Sequence, residues 1–514
     1  MINDRDSWTN VPGTVIAHSS AATGKFIGSP GLATLPDGSY VACHDHFGPV
    51  STEHGIAETW IYRSTERGTS WTPICRIDGA FWSNLFVHRG SLYLFGASRH
   101  YGYAVIRRST DGGFTWTHPT DSKSGLLSTT PEYHCAPMPV LEHRGYLYRA
   151  FEHRSPGEGW GTNFTSGVFR AKVGADLLDA RSWEMSTYIR SDGKWNNGDM
   201  RAWLEGNMTV DPHGRIVNVL RAQTVSSQEK AAITSLNPMT MQCAFYPESG
   251  FVSFPGGAKK FCIRRHPRAG IYYTISSAVF PDDNPTDAGS MRNCAVLMQS
   301  QDLQAWEIIR VVQYHPDVEH CGFQYIEWQY DGDDIVYVSR TAFHDGYLPA
   351  KRAHDANFLT FHRIDNFASR GVLRRSIDGH LPKPMKIQSA TLDVFGYGFV
   401  SRKFIDGTMP FTNREYRLSG VPEKVSSGSF TALPGGKVAW IWLEAKADVR
   451  LSLITAAEPT KQTEAALRAR YAGFAGRYSD TANTPLHLYE TSLRRGEWRF
   501  VPQFGWSGTA VIST

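Results

Sequence analysis

Two histidines separated by one residue provide groups that could transfer protons or bind a metal ion. His44 and His46 lie in the segment Cys43-His-Asp-His-Phe-Gly-Pro49, and residues i and i+2 of a strand point to the same face. Imidazole exchanges a proton near neutral pH, so we predict that one of the two is a general acid or base, with His46 or His44 in that role. Two other interpretations stay open: a structural pair that bonds loop carbonyls, and a pair that chelates a metal ion.

Arginines at the ends of apolar segments suggest recognition of an acidic substrate. Arg340 follows Ile335-Val-Tyr-Val-Ser339, and Arg221 follows Ile216-Val-Asn-Val-Leu220. A guanidinium group is the natural bidentate partner of a carboxylate. We therefore predict that Arg340 takes part in catalysis and that Arg221 binds substrate. The alternative for Arg340 is an ordinary strand followed by polar loop residues.

Further polar and aromatic residues near the same segments are candidates for substrate binding. Trp203 would stack on a sugar ring or pack between sheets, and the sequence leaves both open. The other candidates are Arg201, Tyr133, His134, Gln324 and His354. The spacing of His315, His320 and Cys321 would allow zinc but is unspecific. We leave the metal unassigned: no cofactor is required, and a structural metal ion is compatible with the sequence.

A recurring turn shows which elements position these residues. Ser64-Thr-Glu-Arg-Gly-Thr-Ser-Trp71 and Ser109-Thr-Asp-Gly-Gly-Phe-Thr-Trp116 share the spacing of an Asp-box, and weaker copies end at Trp183 and Trp306. In such a turn the acidic side chain closes the loop, glycine takes a positive φ and tryptophan packs beneath. Each copy closes a passage of alternating apolar segments separated by glycine turns, which is typical of β-hairpins.

Hairpins that repeat at roughly 40–60 residues predict an all-β fold, a β-propeller with about four strands in each blade. Blade starts near residues 32, 84, 137, 207, 260, 322 and 428 predict seven blades, the last completed by an N-terminal strand near residues 11–17. Residues 1–370 would hold blades 1–6 with the closing strand. Residues 371–514 would complete blade 7 and add an insertion and a short helix at 460–471. The alternative is six blades plus a C-terminal β-domain.

Composition excludes several classes of partner. A net charge of +4 over 514 residues argues against a protein that lives on nucleic acid or an anionic membrane surface. No segment approaches the about 18 consecutive apolar residues of a membrane span. The seven scattered cysteines contain no CxxC pair, which favours free thiols in a reducing compartment. With no signal peptide visible at Met1, we expect a cytoplasmic protein.

Asp-box propellers include the sialidases, whose site residues are not evident here. The first-blade Arg-Ile-Pro element of a sialidase is replaced by Phe26-Ile-Gly-Ser-Pro30, which lacks the arginine. The expected acidic residue and the Tyr/Glu nucleophile pair are not evident either. The sequence therefore favours the sialidase-like fold without the sialidase site.

Five elements together resemble a different propeller family, first described as α-L-rhamnosidases and later as L-rhamnose-α-1,4-D-glucuronate lyases, which has seven blades. The resemblance covers roughly residues 25–366 and rests on the strand pattern and on His44-Asp-His-Phe-Gly-Pro49, Leu204-Glu-Gly-Asn207, Gly322-Phe-Gln-Tyr325 and His354-Asp-Ala-Asn-Phe-Leu-Thr-Phe-His362. It implies action on the rhamnose–glucuronate caps of arabinogalactan and gum arabic. It also implies an essential histidine that corresponds to His46, with His44 the near alternative.

The residue types fit the β-elimination that this resemblance implies. Elimination at a 4-linked uronate removes the C5 proton, expels the sugar at O4 and leaves a 4,5-unsaturated uronate. A cation must face the carboxylate, a base must reach the C5 proton and an acid must reach O4. We expect a uronate-containing oligo- or polysaccharide as substrate, with His46 as the proton-transfer group and Arg340 or Arg221 on the carboxylate. Hydrolysis of the same linkage and a non-catalytic glycan-binding propeller are the alternatives.

Overall fold

The computed structural model describes residues 8, 11–157, 159–279, 287–315, 317–345, 348–368, 385–396, 400–411, 414–426, 428–432, 441–501, 504 and 507–513. The chain divides into two compact units. The first contains Met1–Asp345 and Pro349–His380, and the second contains Gly346–Leu348 and Leu381–Thr514. Nearly all regular structure in both units is antiparallel β-sheet. The predicted all-β class is therefore confirmed.

The first unit begins with strand β1 (Thr14–His18) and continues with three sheets, here called blades 1 to 3. Blade 1 contains β2 (Phe26–Ile27), β3 (Gly31–Thr34), β4 (Tyr40–Phe47), β5 (Glu58–Ser64) and β6 (Thr72–Asp78). Blade 2 contains β7 (Phe81–His88), β8 (Ser91–Ala97) and β9 (Ala104–Ser109). Blade 3 contains β10 (Tyr133–His134), β11 (Leu141–His143), β12 (Tyr146–Arg154), β13 (Phe164–Lys172), β14 (Trp183–Met185) and β15 (Ile189–Arg190).

Three further sheets, blades 4 to 6, follow a short helical segment, α1 (Trp195–Gly198). Blade 4 contains β16 (Met200–Val210), β17 (Ile216–Thr224), β18 (Lys230–Asn237), β19 (Gln242–Ala244) and β20 (Phe251–Ser253). Blade 5 contains β21 (Cys262–Arg265), β22 (Tyr272–Ser277), β23 (Cys294–Ser300) and β24 (Glu307–Tyr314). Blade 6 contains β25 (Gly322–Asp331), β26 (Asp334–Ala342), β27 (Phe358–Ile364) and β1.

The six blades form a closed ring. Strand β25 of blade 6 packs against β3 of blade 1, and the first strand of each blade contacts its neighbour around the ring. Strand β1 pairs antiparallel with β27, so the N-terminal strand completes blade 6. The count of seven blades is therefore wrong, and the alternative of six blades plus a C-terminal β-domain fits. The error arose because the segment near residue 428 alternates like a blade, although its strands pair within the second unit.

The blades are held together by apolar residues on both faces of each sheet. In β4, Tyr40 and Ala42 pack toward blade 6, whereas Val41 and Cys43 pack toward blade 2. Because successive strand residues point to opposite faces, a strand between two neighbours must be apolar at both. This requirement explains why Tyr-Val-Ala-Cys reads as a continuous apolar run.

The predicted Asp-box turns are present at the outer edge of the blades. The Ser64 hydroxyl accepts the Gly68 N–H at 2.9 Å, and the Trp71 indole donates to the Gly68 carbonyl at 3.2 Å. In the second copy the Ser109 hydroxyl accepts the Gly113 N–H at 2.8 Å. Gly68 and Gly113 have φ values of 89° and 102°. These turns close the hairpins that carry the inner strands.

The second unit contains two sheets. One contains β28 (Met385–Gln388), β29 (Leu392–Gly396), β33 (Ile441–Ala445) and β37 (Trp498–Val501). The other contains β30 (Val400–Lys403), β31 (Leu418–Ser419), β32 (Ser429–Ala432), β34 (Val449–Thr455), β35 (Arg470–Tyr478), β36 (Pro485–Leu493) and β38 (Thr509–Ser513). Residues from both sheets share a core that includes Leu443, Leu453 and Tyr489.

The predicted helix lies in the second unit as α2 (Lys461–Leu467). Thr460 caps its first turn, because the Thr460 side chain accepts the Thr463 N–H, and the helix ends at Arg468 in a left-handed conformation. Short 3₁₀ turns of the described chain include Ala21–Thr23, Ala180–Ser182 and Glu423–Val425. No helix among the described residues is long and apolar enough to cross a membrane.

Candidate functional site

Three arginines from successive blades lie close enough together for their positive charges to repel one another. Arg221 lies in β17 of blade 4, Arg292 precedes β23 of blade 5, and Arg340 lies in β26 of blade 6. All three are almost fully buried. The pKa of Arg292 is lowered to about 9, mainly by burial and with a contribution from the charges of Arg221 and Arg340, while Tyr325 opposes the shift. Such a concentration of buried positive charge is unfavourable without an anion.

Arg292 has the fewest partners of the three. Within the described part of the chain, its buried Nε and Nη1 atoms have no hydrogen-bond partner, and no carboxylate forms an ion pair with its guanidinium. The buried Nε atoms of Arg221 and Arg340 also have none. Leaving a buried charge uncompensated costs several kcal/mol. The cluster therefore has the donors and the charge to bind an anionic group.

A carboxylate and a phenol lie beside these arginines. The Tyr325 hydroxyl donates to Glu205 Oε1 at 2.9 Å, and Arg221 Nη1 donates to Glu205 Oε2 at 3.1 Å. Both acidic groups are buried, and burial is the main cause that raises the pKa of Tyr325. Glu205 is positioned to accept the phenolic proton, which would make Tyr325 a nucleophile or a base.

Equivalent β-bulges place Glu205 and Tyr325. The pairing register shifts between Leu204 and Asn207 in β16 and between Gln324 and Glu327 in β25. Glu205 and Tyr325 have φ values of 59° and 52°, a conformation that costs non-glycine residues about 1–3 kcal/mol. Bulges commonly redirect a side chain beside a functional site. The fold thus holds both side chains in strained positions that point them at one another.

Arg340 is held between two aromatic rings. Its guanidinium lies 4.2 Å from the Phe47 ring centre and 4.7 Å from the Tyr325 ring centre. Its Nη2 atom donates to His354 Nε2 at 3.3 Å, and His354 Nδ1 donates to Asp355 Oδ1 at 2.8 Å. Stacking and hydrogen bonding fix the direction of the guanidinium. The predicted residues Arg340 and His354 are therefore brought together.

Gln324 supports the same loop. Its side-chain amide donates to the carbonyl oxygens of Ala353 and His354. Because Gln324 is 1% exposed, it is placed to hold the His354 segment rather than to reach solvent.

A cavity of about 500 Å³ opens beside Arg221. Its volume lies in the usual range of small-molecule sites. Trp160 is 43% exposed at this cavity and offers an aromatic face on which a sugar could stack. The lining residues are Trp160, Arg201, Arg221, Gln223, Thr224, Val225, Ser227, Ala258, Asp287 and Gly289.

The two histidines of blade 1 differ in environment. His44 is 1% exposed, its Nδ1 donates to the Asp45 carbonyl at 2.9 Å, and its Nε2 accepts from the Tyr62 hydroxyl at 3.2 Å. Burial lowers the pKa of His44 to about 3. His46 is partly exposed, and its Nδ1 donates to Glu58 Oε1 at 3.1 Å. Burial also lowers the pKa of His46, while Glu58 opposes the shift. Both rings are therefore neutral near pH 7, and His46 is the more accessible.

A buried pair of one histidine and one carboxylate, His134 and Glu152, lies in blade 3. His134 Nδ1 is 2.9 Å from Glu152 Oε2. Burial lowers the pKa of His134 to about 3 and raises the pKa of Glu152 to about 8. The ring of His134 packs near Trp82 and Phe164. Both carboxyl oxygens of Glu152 thus have partners within the fold, because Oε1 also accepts the Gly206 N–H at 3.3 Å.

Tyr133 and Trp203 are packed in cores. Tyr133 contacts Phe151 and Phe169 and is 4% exposed. Trp203 is 0% exposed and packs against Trp195 and Phe245. For Trp203 the structure matches the packing alternative. Arg201, in contrast, is exposed and lines the cavity.

Sequence reasoning did not single out Glu205, Tyr325 or Arg292 as functional. The segments Leu204-Glu-Gly-Asn207 and Gly322-Phe-Gln-Tyr325 did support the family resemblance, so the signal for the first two was available. Arg292 had only the general signal of an arginine just before an apolar strand. A Tyr/Glu pair, which is not evident in the sequence, is present in the structure as the hydrogen-bonded side chains of Tyr325 and Glu205.

Comparison with known proteins shows only distant structural likeness. No family model and no curated protein matches the chain. An α-L-arabinanase of Penicillium chrysogenum covers 70% of this chain and 99% of its own, with a TM-score of 0.44 and 14% identity. The α-L-arabinofuranosidase of Fusarium graminearum gives a TM-score of 0.45 and 12% identity over 70% of this chain and 98% of its own. A Hadza microbial sialidase gives 0.45 and 14% over 69% and 68%. At these values the likeness adds nothing about function.

Proposed function

We propose that the protein is a carbohydrate-active enzyme that cleaves a glycosidic bond next to a sugar carboxylate. The observation that carries the proposal is Arg292, a buried guanidinium whose Nε and Nη1 have no partner within the described chain and which lies beside Arg221 and Arg340. A carboxylate would accept paired hydrogen bonds from this cluster and neutralise part of its charge. Among the described residues, Glu205 is the one carboxylate that forms an ion pair with any of the three guanidinium groups, which leaves donors for one more anion.

The surroundings favour a sugar acid over a simple anion. The cavity beside Arg221 is too large for a carboxylate alone, and Trp160 supplies a flat apolar wall. Sugar rings present apolar faces that stack on tryptophan and hydroxyl groups that bond polar side chains. A uronate or another carboxylated sugar meets both requirements.

Hydrolysis is the reaction that the Tyr325–Glu205 pair supports best. Glu205 takes the phenolic proton while Tyr325 Oη attacks the anomeric carbon. The glycosidic C–O bond breaks, and an acid protonates the departing oxygen. Water then attacks the anomeric carbon of the glycosyl–tyrosine and gives its proton to the group that acted as the acid. The bond from the anomeric carbon to Tyr325 Oη breaks, and Glu205 returns the phenolic proton. Tyrosine is an established nucleophile when the sugar under attack carries a carboxylate, because a neutral nucleophile avoids repulsion between two anions at the anomeric carbon.

Elimination at a rhamnose-α-1,4-glucuronate linkage is the second candidate, and a specific observation favours it. The next residue after His46 is Phe47, whose ring packs on Arg340. If His46 is the base, it is adjacent in sequence to Phe47, and the Phe47 ring stacks on Arg340, which would bind the carboxylate. The base removes the C5 proton, the electron pair forms the C4–C5 double bond, and rhamnose leaves with a proton on its oxygen. Neither reaction requires a cofactor.

One assay separates these reactions. Acidic disaccharides, including rhamnosyl-α-1,4-glucuronate, are incubated with the full-length protein alongside the same disaccharides whose carboxyl group is reduced to an alcohol. We expect release of sugar from the acids and at least ~10²-fold slower release from the reduced compounds, since a carboxylate contact in the transition state is worth that much.

The ultraviolet absorbance of a conjugated uronate distinguishes the routes. Sugar release without this absorbance identifies hydrolysis, and release with it identifies elimination. Equal rates on acidic and reduced disaccharides would overturn the role of the arginines. Binding of acidic glycans with no cleavage of any would make the protein a non-catalytic glycan-binding propeller.

A further inference from the structure

Two loops at the edge of blades 1 and 2 bring together a second group of chemically active side chains. Glu53 and His54 lie between β4 and β5, and His100 lies between β8 and β9. The His100 N–H donates to the Glu53 carbonyl at 2.8 Å, and Arg99 Nη1 donates to the His54 carbonyl at 3.4 Å. One backbone bond and one side-chain bond thus join the two loops and hold the three residues near one another.

The side-chain separations fit shared coordination better than hydrogen bonding. Glu53 Oε1 lies 3.6 Å from His54 Nε2, and Glu53 Oε2 lies 3.8 Å from His100 Nδ1. Both distances are too long for hydrogen bonds. Two ligand atoms that bind one tetrahedral Zn²⁺ at about 2.1 Å lie about 3.4 Å apart. The three ligand atoms all lie within 4.8 Å of one another, so small rotations would bring them onto one ion.

The state of His100 adds an independent observation. Its Nδ1 atom is buried and has no hydrogen-bond partner within the described chain. A buried imidazole nitrogen usually has a partner. This one points toward a carboxylate that stops short of it.

We propose that Glu53, His54 and His100 form a binding site for a divalent transition metal of the zinc class. Two imidazole nitrogens and one carboxylate oxygen are ligands that zinc prefers, and three protein ligands leave one position open. His54 is 69% exposed on its side chain, so an ion can enter from solvent. Bound metal would clamp the blade 1 loop to the blade 2 loop.

The clamp would lie next to the residues of blade 3. The His100 ring is 4.7 Å from Trp82, and Trp82 is 4.5 Å from His134. Metal binding would therefore order the wall that these rings form. Because Glu53, His54 and His100 take no part in the proposed function, the metal site can be tested independently of it.

The test is titration of the metal-free, untagged full-length chain with ZnCl₂ in a calorimeter, with thermal unfolding as a second readout. We expect one saturable site and a rise in Tm with metal, since a ligand that binds only the folded state stabilises it. His54→Ala and Glu53→Gln should each weaken binding at least ~10-fold, the scale on which loss of a ligand acts. The control is His213→Ala, an exposed histidine outside the cluster, which should bind zinc as the unchanged protein does.

Cobalt(II) distinguishes this site from the cysteines. Tetrahedral coordination by nitrogen and oxygen gives visible absorption without the strong near-ultraviolet band of a thiolate ligand. Retention of full zinc affinity in His54→Ala, or a thiolate band with cobalt, would overturn the proposal. So would the absence of any saturable zinc binding. Because His54 is exposed, its variant is expected to fold, and its Tm without metal verifies this.

Discussion

The buried polar groups of blades 1 and 3 differ from those of blades 4 to 6. In blades 1 and 3, both ring nitrogens of His44 are bonded and His134 faces Glu152. In blades 4 to 6, Arg292 has no partner for two of its nitrogens within the described chain. The first group consists of neutral or proton-sharing pairs. The second is a net positive cluster.

Structural polar residues can be distinguished from a ligand site by whether the fold itself supplies their partners. When the members of a buried polar network form hydrogen bonds with one another, these bonds offset the free-energy cost of burying polar groups, and no ligand is required. A buried charge that the fold leaves without an anion is costly, and a fold tolerates that cost where a ligand removes it. Glu205 and Tyr325 add strained backbone at the same place, which is a second cost typical of functional sites.

The largest effect should come from removing the phenolic oxygen of Tyr325. In Tyr325→Phe the ring still stacks on Arg340, but the hydrogen bond to Glu205 is lost. We expect kcat on the acidic substrate to fall about 10³-fold or more, the scale for a nucleophile, with little change in KM. Tyr272→Phe is the matched control: its buried hydroxyl donates to the Val210 carbonyl, so it should lose about 1 kcal/mol of stability and no activity. A Tyr325→Phe enzyme with near-normal kcat would exclude Tyr325 as the nucleophile and the hydrolysis that depends on it.

Arg292 should show opposite effects on activity and stability. Arg292→Met removes a carboxylate donor, so kcat/KM should fall about 10²–10³-fold. The same change removes an unpaired buried charge and its repulsion from Arg221 and Arg340, so Tm should rise. Enzyme kinetics and thermal unfolding of the same preparation measure both.

Arg149 provides the matched control for that experiment. It is also fully buried, but its Nε donates to Asn84 Oδ1 at 2.8 Å and its Nη1 to the Ala150 carbonyl at 2.6 Å. Arg149→Met leaves those acceptors without donors and should destabilise the fold by about 3 kcal/mol or more. If Arg292→Met lowered Tm as much as Arg149→Met, Arg292 would be a structural residue like Arg149.

The propeller could be predicted from the sequence because its signals are local. An Asp-box such as Ser64–Trp71 closes through contacts within eight residues, so its composition reveals its shape. The number of blades depends instead on which distant strand pairs with which. The segment near residue 428 alternates like the blades before it, and only the β1–β27 pairing shows where the ring closes.

The site could be predicted only in part, for a similar reason. Arg221 and Arg340 end obvious strands, and both belong to the cluster. Glu205 and Tyr325 are 120 residues apart, and their meeting depends on bulges in two separate blades. Whether a buried arginine has a hydrogen-bond partner depends on side chains from several blades. The sequence around Arg292 therefore does not reveal that its Nε and Nη1 atoms have no partner within the described chain.

The two histidines of blade 1 test the same distinction, because His44 is buried with both ring nitrogens bonded and His46 is partly exposed. We expect His46→Ala to lower kcat about 10²-fold, the usual scale for general acid–base catalysis, with little loss of stability because the ring is partly exposed. His44→Ala should instead lower Tm, since it leaves Tyr62 without its acceptor and opens a buried space. Steady-state kinetics and thermal unfolding give both values. Full activity in His46→Ala would place proton transfer elsewhere, with His134 and His354 the next residues to test.

The smallest expected effect concerns the pH dependence of stability. The folded His134–Glu152 pair holds one proton up to the raised Glu152 pKa of about 8. In the unfolded chain the histidine releases its proton near its ordinary pKa of 6.5 and the carboxyl near 4.5. Between pH 6.5 and 8 the folded state therefore binds one more proton than the unfolded state. Stability should fall across this window by about 1.4 kcal/mol for each pH unit.

Glu152→Gln isolates this contribution, because the amide does not titrate and burial keeps His134 neutral above about pH 3. The variant should lose the fall in stability between pH 6.5 and 8, and its stability should instead rise with pH up to 6.5 as the unfolded histidine loses its proton. Denaturant midpoints at pH 6.5 and 8 measure the difference. Glu142→Gln, an exposed residue of the same blade, should keep the slope of the unchanged protein. Identical slopes in Glu152→Gln and the unchanged protein would mean that the pair holds no extra proton, and blade 3 would then contain an unneutralised buried carboxylate comparable in cost to Arg292.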